Sequence, residues 1–284
     1  MAECNVRRKN FGLVNCNTLP GLISGMITTP EDFKITDEQA AQVATWQNAM
    51  IAPLADRIYY WPPFVQVENI SQEATYEDTP LAYLPIQDGN YRFRFSISQN
   101  LCIHKAMFTH RSSQGRAFLY DRNGMLTGTR DANGFIRGLR IQLLHTEKLQ
   151  FNDGSVSTKS PLVLALADNV ELDRDGVIFD GSFVNSLERI HDVEIKILSA
   201  AANEIVCTVK IACDGTPLEG LESADFVLLD EDGNAQMISS ATDDGDGRYT
   251  LSGSGWESGT LGLKDVDQLS LQYYEAEVAT VTIT

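Results

Sequence analysis

Tyr91-Arg92-Phe93-Arg94-Phe95-Ser96-Ile97-Ser98 alternates without a fault, with Tyr, Phe, Phe and Ile on one side and Arg, Arg, Ser and Ser on the other. A side-chain period of two belongs to a half-buried β-strand, because successive Cβ atoms leave opposite faces of a pleated chain. Downstream, Leu101 to His110 has helical composition (Ala106, Met107), with Ser98 as the expected cap. Beyond it, Arg116–Arg122, Met125–Arg130 and Phe135–Leu144 read as strands. Asn123-Gly124 and Asn133-Gly134 join them, and Asn-Gly supplies the positive φ that a tight hairpin needs. Pro161–Leu172 and Val177–Leu187 add two strands around Asp175-Gly176. The chain holds ten Asp-Gly or Asn-Gly pairs, so a turn-rich β protein is expected throughout.

Upstream, Ile58–Val67 is aromatic and β-branched but interrupted by Pro62-Pro63, which predicts an edge strand or a strand junction. The aromatic group Tyr59, Tyr60, Trp61 and Phe64 fits core or interface packing better than a ligand cage. Thr36 with Gln39 forms a capping-box pattern, and Ala40, Val43, Ala44, Met50 and Ile51 suggest the apolar side of a helix that Pro53 stops. Residues 1–35 carry scattered apolar side chains (Phe11, Leu13, Leu19, Leu22, Ile23, Ile27) without a period, as expected of an arm ordered by packing on something else.

After His191 the pattern becomes short strands at Val193–Ser199, Glu204–Ala212, Asp225–Asp230, Ala235–Ala241, Arg248–Ser252, Gln268–Tyr274 and Glu277–Ile283. Seven strands over about 90 residues is the spacing of an immunoglobulin-like sandwich. The expected fold is mainly β: an antiparallel sandwich or barrel with one or two helices, followed by an Ig-like β-sandwich. Three regions are expected, an N-terminal arm and helix (1–56), a β-rich assembly domain (57–190) and an acidic Ig-like domain (191–284).

Charge supports that division. The 284 residues carry a net charge of −17, and residues 191–284 hold 18 acidic side chains against 4 basic ones. Residues 88–140 run the other way, with nine Lys/Arg against three Asp. A global nucleic-acid binder is not expected, because the phosphate term needs excess cations. No run approaches a membrane span, and the N-terminus has no apolar signal core, so neither membrane association nor a secreted precursor is expected. The cysteines Cys4, Cys16, Cys102, Cys207 and Cys213 show no CxxC pairing and read as reduced thiols.

The same residues offer little catalytic chemistry. His104 and His110 are six apart and cannot share a metal from one helix, while His145 and His191 are isolated. No nucleophile elbow, zinc-protease helix, P-loop or dinucleotide motif is present. Carboxylate pairs fall in turns, where Asp caps the backbone and Gly takes positive φ. Asp243-Asp244-Gly245-Asp246-Gly247 is the better of the calcium-loop readings. No catalytic residue, metal ligand or cofactor is therefore expected. Arg92 and Arg94 share a strand face, with Arg116, Arg122, Arg130, Arg137 and Arg140 nearby. That face reads as a solvated sheet surface, a subunit interface or a phosphate contact. The interface candidates are Trp61, Phe64, Arg92, Arg94 and Arg116.

Several segments point to one layout. EATYEDTPLAYLPIQDGNYRFRFSI, KAMFTHRSSQGRAFLYDRNGMLTGTRDANGFIRGLRIQLL and LVLALADNVELDRDGVIF, followed by CDGTPLEGLESADFVLLDEDGNA and the ending EAEVATVTIT, resemble tail tube proteins (major tail proteins) of tailed bacteriophages with an appended Ig-like module. The resemblance covers most of residues 57–284 and rests on layout, while the first 56 residues depart from it. It implies a virion structural protein. Copies would form hexameric rings that close an inner barrel across subunits and stack into a conduit for DNA, which is cargo only. Other virion tail proteins would be partners, and assembly would take place in the bacterial host cytoplasm. Acidic side chains would outnumber basic ones along the bore. A head or decoration protein, an Ig-like adhesin or carbohydrate-binding fibre component, and an enzyme remain as alternatives.

Overall fold

The computed structural model describes residues 20–79, 82–87, 89–112, 114–168 and 170–283, with backbone alone at 79 and 82–87. Phe11, Leu13, Leu19, Cys4 and Cys16 lie outside the described residues. The chain divides into two compact units, the first holding the described residues up to Ala49 with Ala55–Leu187, the second Met50–Leu54 with Glu188–Thr284. Both are mainly β, and all but one of the strand pairings among the described residues are antiparallel.

The first unit opens with β1 (Ile23–Thr29), β2 (Tyr59–Tyr60), β3 (Gln66–Asn69), β4 (Thr75–Thr79), β5 (Ala82–Gln87) and β6 (Arg92–Ile97). It continues with β7 (Arg116–Asp121), β8 (Met125–Arg130), β9 (Ile136–Arg137), β10 (Leu139–Thr146), β11 (Ser160–Leu166) and β12 (Gly176–Asp180). Its ten-stranded sheet runs β12-β8-β7-β10-β11-β6-β3, with β1 on β7, β2 on β1 and β9 on β8. In the alternation at 91–98, Phe93, Phe95 and Ile97 are buried and Arg94 is exposed as expected, while Ser96, expected on the polar side, is buried as well. β7 is buried along its whole length because it has a core on each side. Ala117 and Leu119 join the cluster of Phe95, Leu144 and Leu164, while Phe118 meets Trp46 and Phe179 edge-on at 5.2 and 6.1 Å.

Residues 20–35 differ from the expected arm. β1 pairs with β7 from Ile23↔Asp121 to Thr29↔Arg116, and its Met26 and Ile27 are fully buried. A bulge between Ile23 and Gly25 broke the period in the sequence. Gly25 lies under Tyr120, where a Cβ would come within 2.0 Å of the phenol oxygen, so the interruption is itself a packing requirement.

The helix expected from Thr36 is two helices, α1 (Asp37–Ala40) and α2 (Val43–Met50). The capping box forms: Thr36 Oγ1 accepts from Gln39 N, and Gln39 Oε1 accepts from Thr36 N. The break follows because Trp46 Nε1 donates to Ala40 O at 3.1 Å, satisfying a helix-end carbonyl from the side. Trp46 is fully buried and stacks on Phe179 at 6.4 Å. Ala44, expected on the apolar side, is exposed.

Helix α3 (Leu101–Thr109) is capped by Asn100 rather than Ser98, with Asn100 Oδ1 accepting from Ile103 N. Pro62-Pro63 marks a junction: Trp61 N still donates to Met26 O in β1, and Val65 N already donates to Ser96 O in β6. The two Asn-Gly turns share one construction. Asp121 Oδ1 accepts from Asn123 and Met125 amides, Asp131 Oδ1 from Asn133 and Phe135 amides, and Gly124 and Gly134 take φ of +77° and +88°. Asp175-Gly176 is no hairpin tip. Asp168 Oδ1 accepts from the Val170 and Glu171 amides and starts helix α4 (Glu171–Asp175) in its place.

The second unit holds β13 (His191–Ala201), β14 (Glu204–Ile211), β15 (Phe226–Asp230), β16 (Ala235–Gln236), β17 (Ile238–Gly245), β18 (Arg248–Gly253), β19 (Gly259–Leu263), β20 (Tyr274–Ala276) and β21 (Ala279–Val281). Sheets β17-β18-β14-β13-β20 and β16-β15-β19-β21 enclose Ile205, Cys207, Leu228, Tyr249, Leu251 and Leu261. The glycine-bearing strand β19 was not legible in the sequence, and the strand expected at Gln268–Tyr274 forms only at its end. Buried Asp225 is the reason: it accepts from Ser270 N and Oγ and holds that stretch as a turn. No helix among the described residues is long and apolar enough to cross a membrane.

His104 on α3 is buried, and its Nδ1 lies 2.9 Å from Ser160 Oγ. Burial, then the nearby Arg111 charge, holds its pKa below the ordinary value. On acidification the unfolded chain therefore takes a proton first, near pH 6.5, and the folded chain only at its lower pKa. The stability this contributes is complete above the unfolded value and is lost as pH falls from there through the lowered folded-state pKa. Urea midpoints of the first unit should drop more steeply between pH 7 and 5 in the native chain than in His104→Gln, and equal slopes would remove His104 from the account.

Candidate assembly surface

β3 ends the large sheet. It pairs with β6 from Gln66↔Ser96 to Asn69↔Phe93, and bonds from Val65 N to Ser96 O and Gln72 N to Asn90 O extend the pairing over 65–72. No described strand lies on its other side. The usual edge protection is missing here, since the stretch has no proline and no bulge. Its one charge, Glu68, lies 3.9 Å from Arg94.

Past Gln72 the same two segments continue as β4 and β5, which pair from Thr75↔Gln87 to Thr79↔Ala82 and with no other strand among the described residues. Thr75, Tyr76, Glu77 and Asp78 are all exposed, so both faces of β4 meet solvent. A two-stranded ribbon is marginal in water without a face to pack against. The signal in the sequence was a strand-like run, TYEDT, lacking an apolar side.

The five interface candidates separate. Trp61 and Phe64 are buried in the unit's own core: Trp61 Nε1 donates to Thr28 Oγ1 at 2.9 Å, and Phe64 stacks on Phe95 at 4.2 Å. Arg116 is also internal, its side chain 9% exposed, donating to Glu171 Oε1 at 2.9 Å, Glu31 Oε1 at 3.2 Å and Gly138 O at 2.8 Å. Arg92 is half-buried, and Arg94 is 44% exposed with Glu147 at 3.0 Å. Arg130 forks onto Asp37 at 2.7 and 3.1 Å, and Arg137 donates to Glu31 O. Arg94, Arg116 and Arg130 are thus ion-paired within the unit, by acids as far away in sequence as Glu31 and Asp37. That distance hid the pairing.

The Arg116–Glu171 pair walls a cleft of about 500 Å³ lined also by Arg130, Arg137, Asp168 and Arg174 among others. Its cations and carboxylates answer one another, so it offers no single-signed pocket. No group of three or more metal-binding side chains occurs among the described residues. In the calcium-like loop, Asp243 accepts from the Gly220 and Gly245 amides, and Asp244 Oδ2 accepts from Thr250 Oγ1 at 2.7 Å. Burial pushes the Cys207 thiol up to about 12, which keeps it inert.

No family model, curated protein or solved structure matches this chain.

Proposed function

We propose that this protein is a virion structural protein, a self-assembling tail tube subunit whose copies form stacked rings that conduct DNA. The observation that carries the reading is the β4–β5 ribbon beside the β3 edge, which no strand among the described residues covers. Unpaired strand edges and a strand such as β4, exposed on both faces over 75–78, are liabilities in a monomer, and both are resolved when neighbouring copies complete them. The second unit follows a different rule. Its long edge strand β17 carries two bulges as well as Asp243 and Asp244, which discourage pairing. With 18 acidic side chains over 191–284, it keeps assembled particles apart.

Electron microscopy of the purified full chain tests the proposal. Stacked rings or hollow rods are expected. A variant in which a short glycine turn replaces 75–87 should stay dispersed while keeping native circular dichroism. Solitary particles of the native chain at every concentration and salt would overturn the assembly reading.

A further inference from the structure

The antiparallel register gives the β10-β11-β6-β3 block two distinct ends. At one end lie Gln66, Ile97, Ser160 and Thr146, since Gln66 pairs with Ser96, Ser160 with Ile97 and Thr146 with Leu162. Helix α3 packs there too, through His104 to Ser160 and through Thr146 Oγ1 donating to Met107 O. Lys105, Arg111 and Lys148 are exposed at this end, and Lys159 Nζ donates to Gln66 Oε1 at 2.8 Å. Among them stand exposed apolar side chains, Val65 at 53%, Leu101 at 55% and Phe151 at 75%. Phe151 is not on a loose tip. Asn152 Oδ1 accepts from Gly154 N, and Asp153 Oδ1 accepts from the Ser155 and Val156 amides. Asp153 is the exposed acid of this end, while Glu147 is held by Arg94.

The opposite end carries the other sign. The ribbon leaves from it with Glu73, Glu77 and Asp78 exposed. α4 sits there as well, because Tyr91 donates to Asp173 Oδ1 at 2.6 Å and Leu166 N to Tyr91 O. Asp168 adds charge, while two cations of this end are paired, Arg174 with Asp175 at 2.6 Å and Arg140 with Glu31 at 3.7 Å. Tyr76, 48% exposed, gives this end an aromatic of its own.

We infer that the first unit is electrically polar along its strand direction, and that copies join head to tail, the acidic ribbon end of one seated on the lysine-fringed apolar end of the next. This rests on the assembly reading above and names the surfaces that meet. A second copy is the occupant because both halves of one complementary pair lie on the same chain. Such a heterologous contact, repeated along the strand direction, propagates as a stack where its rotation does not close a ring. Opposite signs steer and orient the encounter, and the exposed aromatics supply the desolvated centre.

Charge exchange between full-length variants tests it. Lys105→Glu with Lys148→Glu makes the basic end acidic, and Glu77→Lys with Asp78→Lys makes the ribbon basic. Each double variant alone should need at least tenfold more protein to assemble in low salt, read by sedimentation velocity, with native circular dichroism. An equimolar mixture should recover assembly, because each variant's altered end now matches the other's. Native assembly should also weaken with added salt. If the native chain assembles and either variant assembles equally well, or the mixture does no better than its components, the head-to-tail contact is wrong while self-assembly stands. A native chain that stays monomeric in all salt removes both.

Discussion

Replacing Trp46 with alanine should destabilise the first unit by about 3–5 kcal/mol, the range for removing a large buried aromatic. Trp46 is fully buried, and its ring lies within 6.4 Å of Phe33, Phe118, Phe179 and Phe183, so its loss opens a cavity between the α1–α2 segment and the sheet. It also leaves Ala40 O without the indole donor that lets α1 end and α2 begin. Trp46→Phe separates the two contributions. It keeps much of the ring packing but drops the hydrogen bond, and should cost about 1–2 kcal/mol, the bond's share plus a small packing defect. Hydrogen exchange read on β7 and β8 amides is the suitable measure, because two units can unfold separately and a single melting curve would mix them. Equal losses for both variants would assign the whole effect to the hydrogen bond and refute the packing account.

Arg116→Ala should cost about 3 kcal/mol, because removing one partner of a buried ion pair strands the other. Glu171, 13% exposed, would lose its guanidinium while still accepting only the Arg140 amide at 2.9 Å, and Gly138 O would lose its donor. Glu31 matters less, being 42% exposed and solvated. Lysine should recover only part of the loss, since a point charge cannot reach three acceptors as a planar fork does. The informative comparison is Arg116→Met against Arg116→Met with Glu171→Gln. The second should be the more stable, because the neutral amide no longer buries an unpaired charge yet still accepts from Arg140 N. If adding Glu171→Gln makes matters worse, the pair is not the source of the stability.

How much of this was legible beforehand depends on the range of each interaction. The alternation at 91–98, the Asn-Gly turns and the Thr36–Gln39 cap act within a few residues, so their chemistry is written locally. Phe93, Phe95, Gly124 and Gly134 take the positions that pattern demands. Trp46 was readable in principle, sharing a helical face with Val43 and Met50, but its role required Phe118 and Phe179 to arrive from strands far along the chain. β1 was hidden because Gly25 and its bulge break the period that marks a strand. The candidate site failed for the same reason in reverse. Arg116 looked like part of an available basic face, and only folding brings Glu31 and Glu171 to it.

Residue order alone therefore determined that the chain is a mainly β protein with tight turns and an acidic final third, since periodicity, turn chemistry and net charge are local or additive properties. Tertiary structure alone decided which charges cancel and which remain. Antiparallel pairing sorts residues distant in sequence to one end of a sheet or the other, and so it set Lys105 and Lys148 at one end and Glu77 and Asp78 at the other.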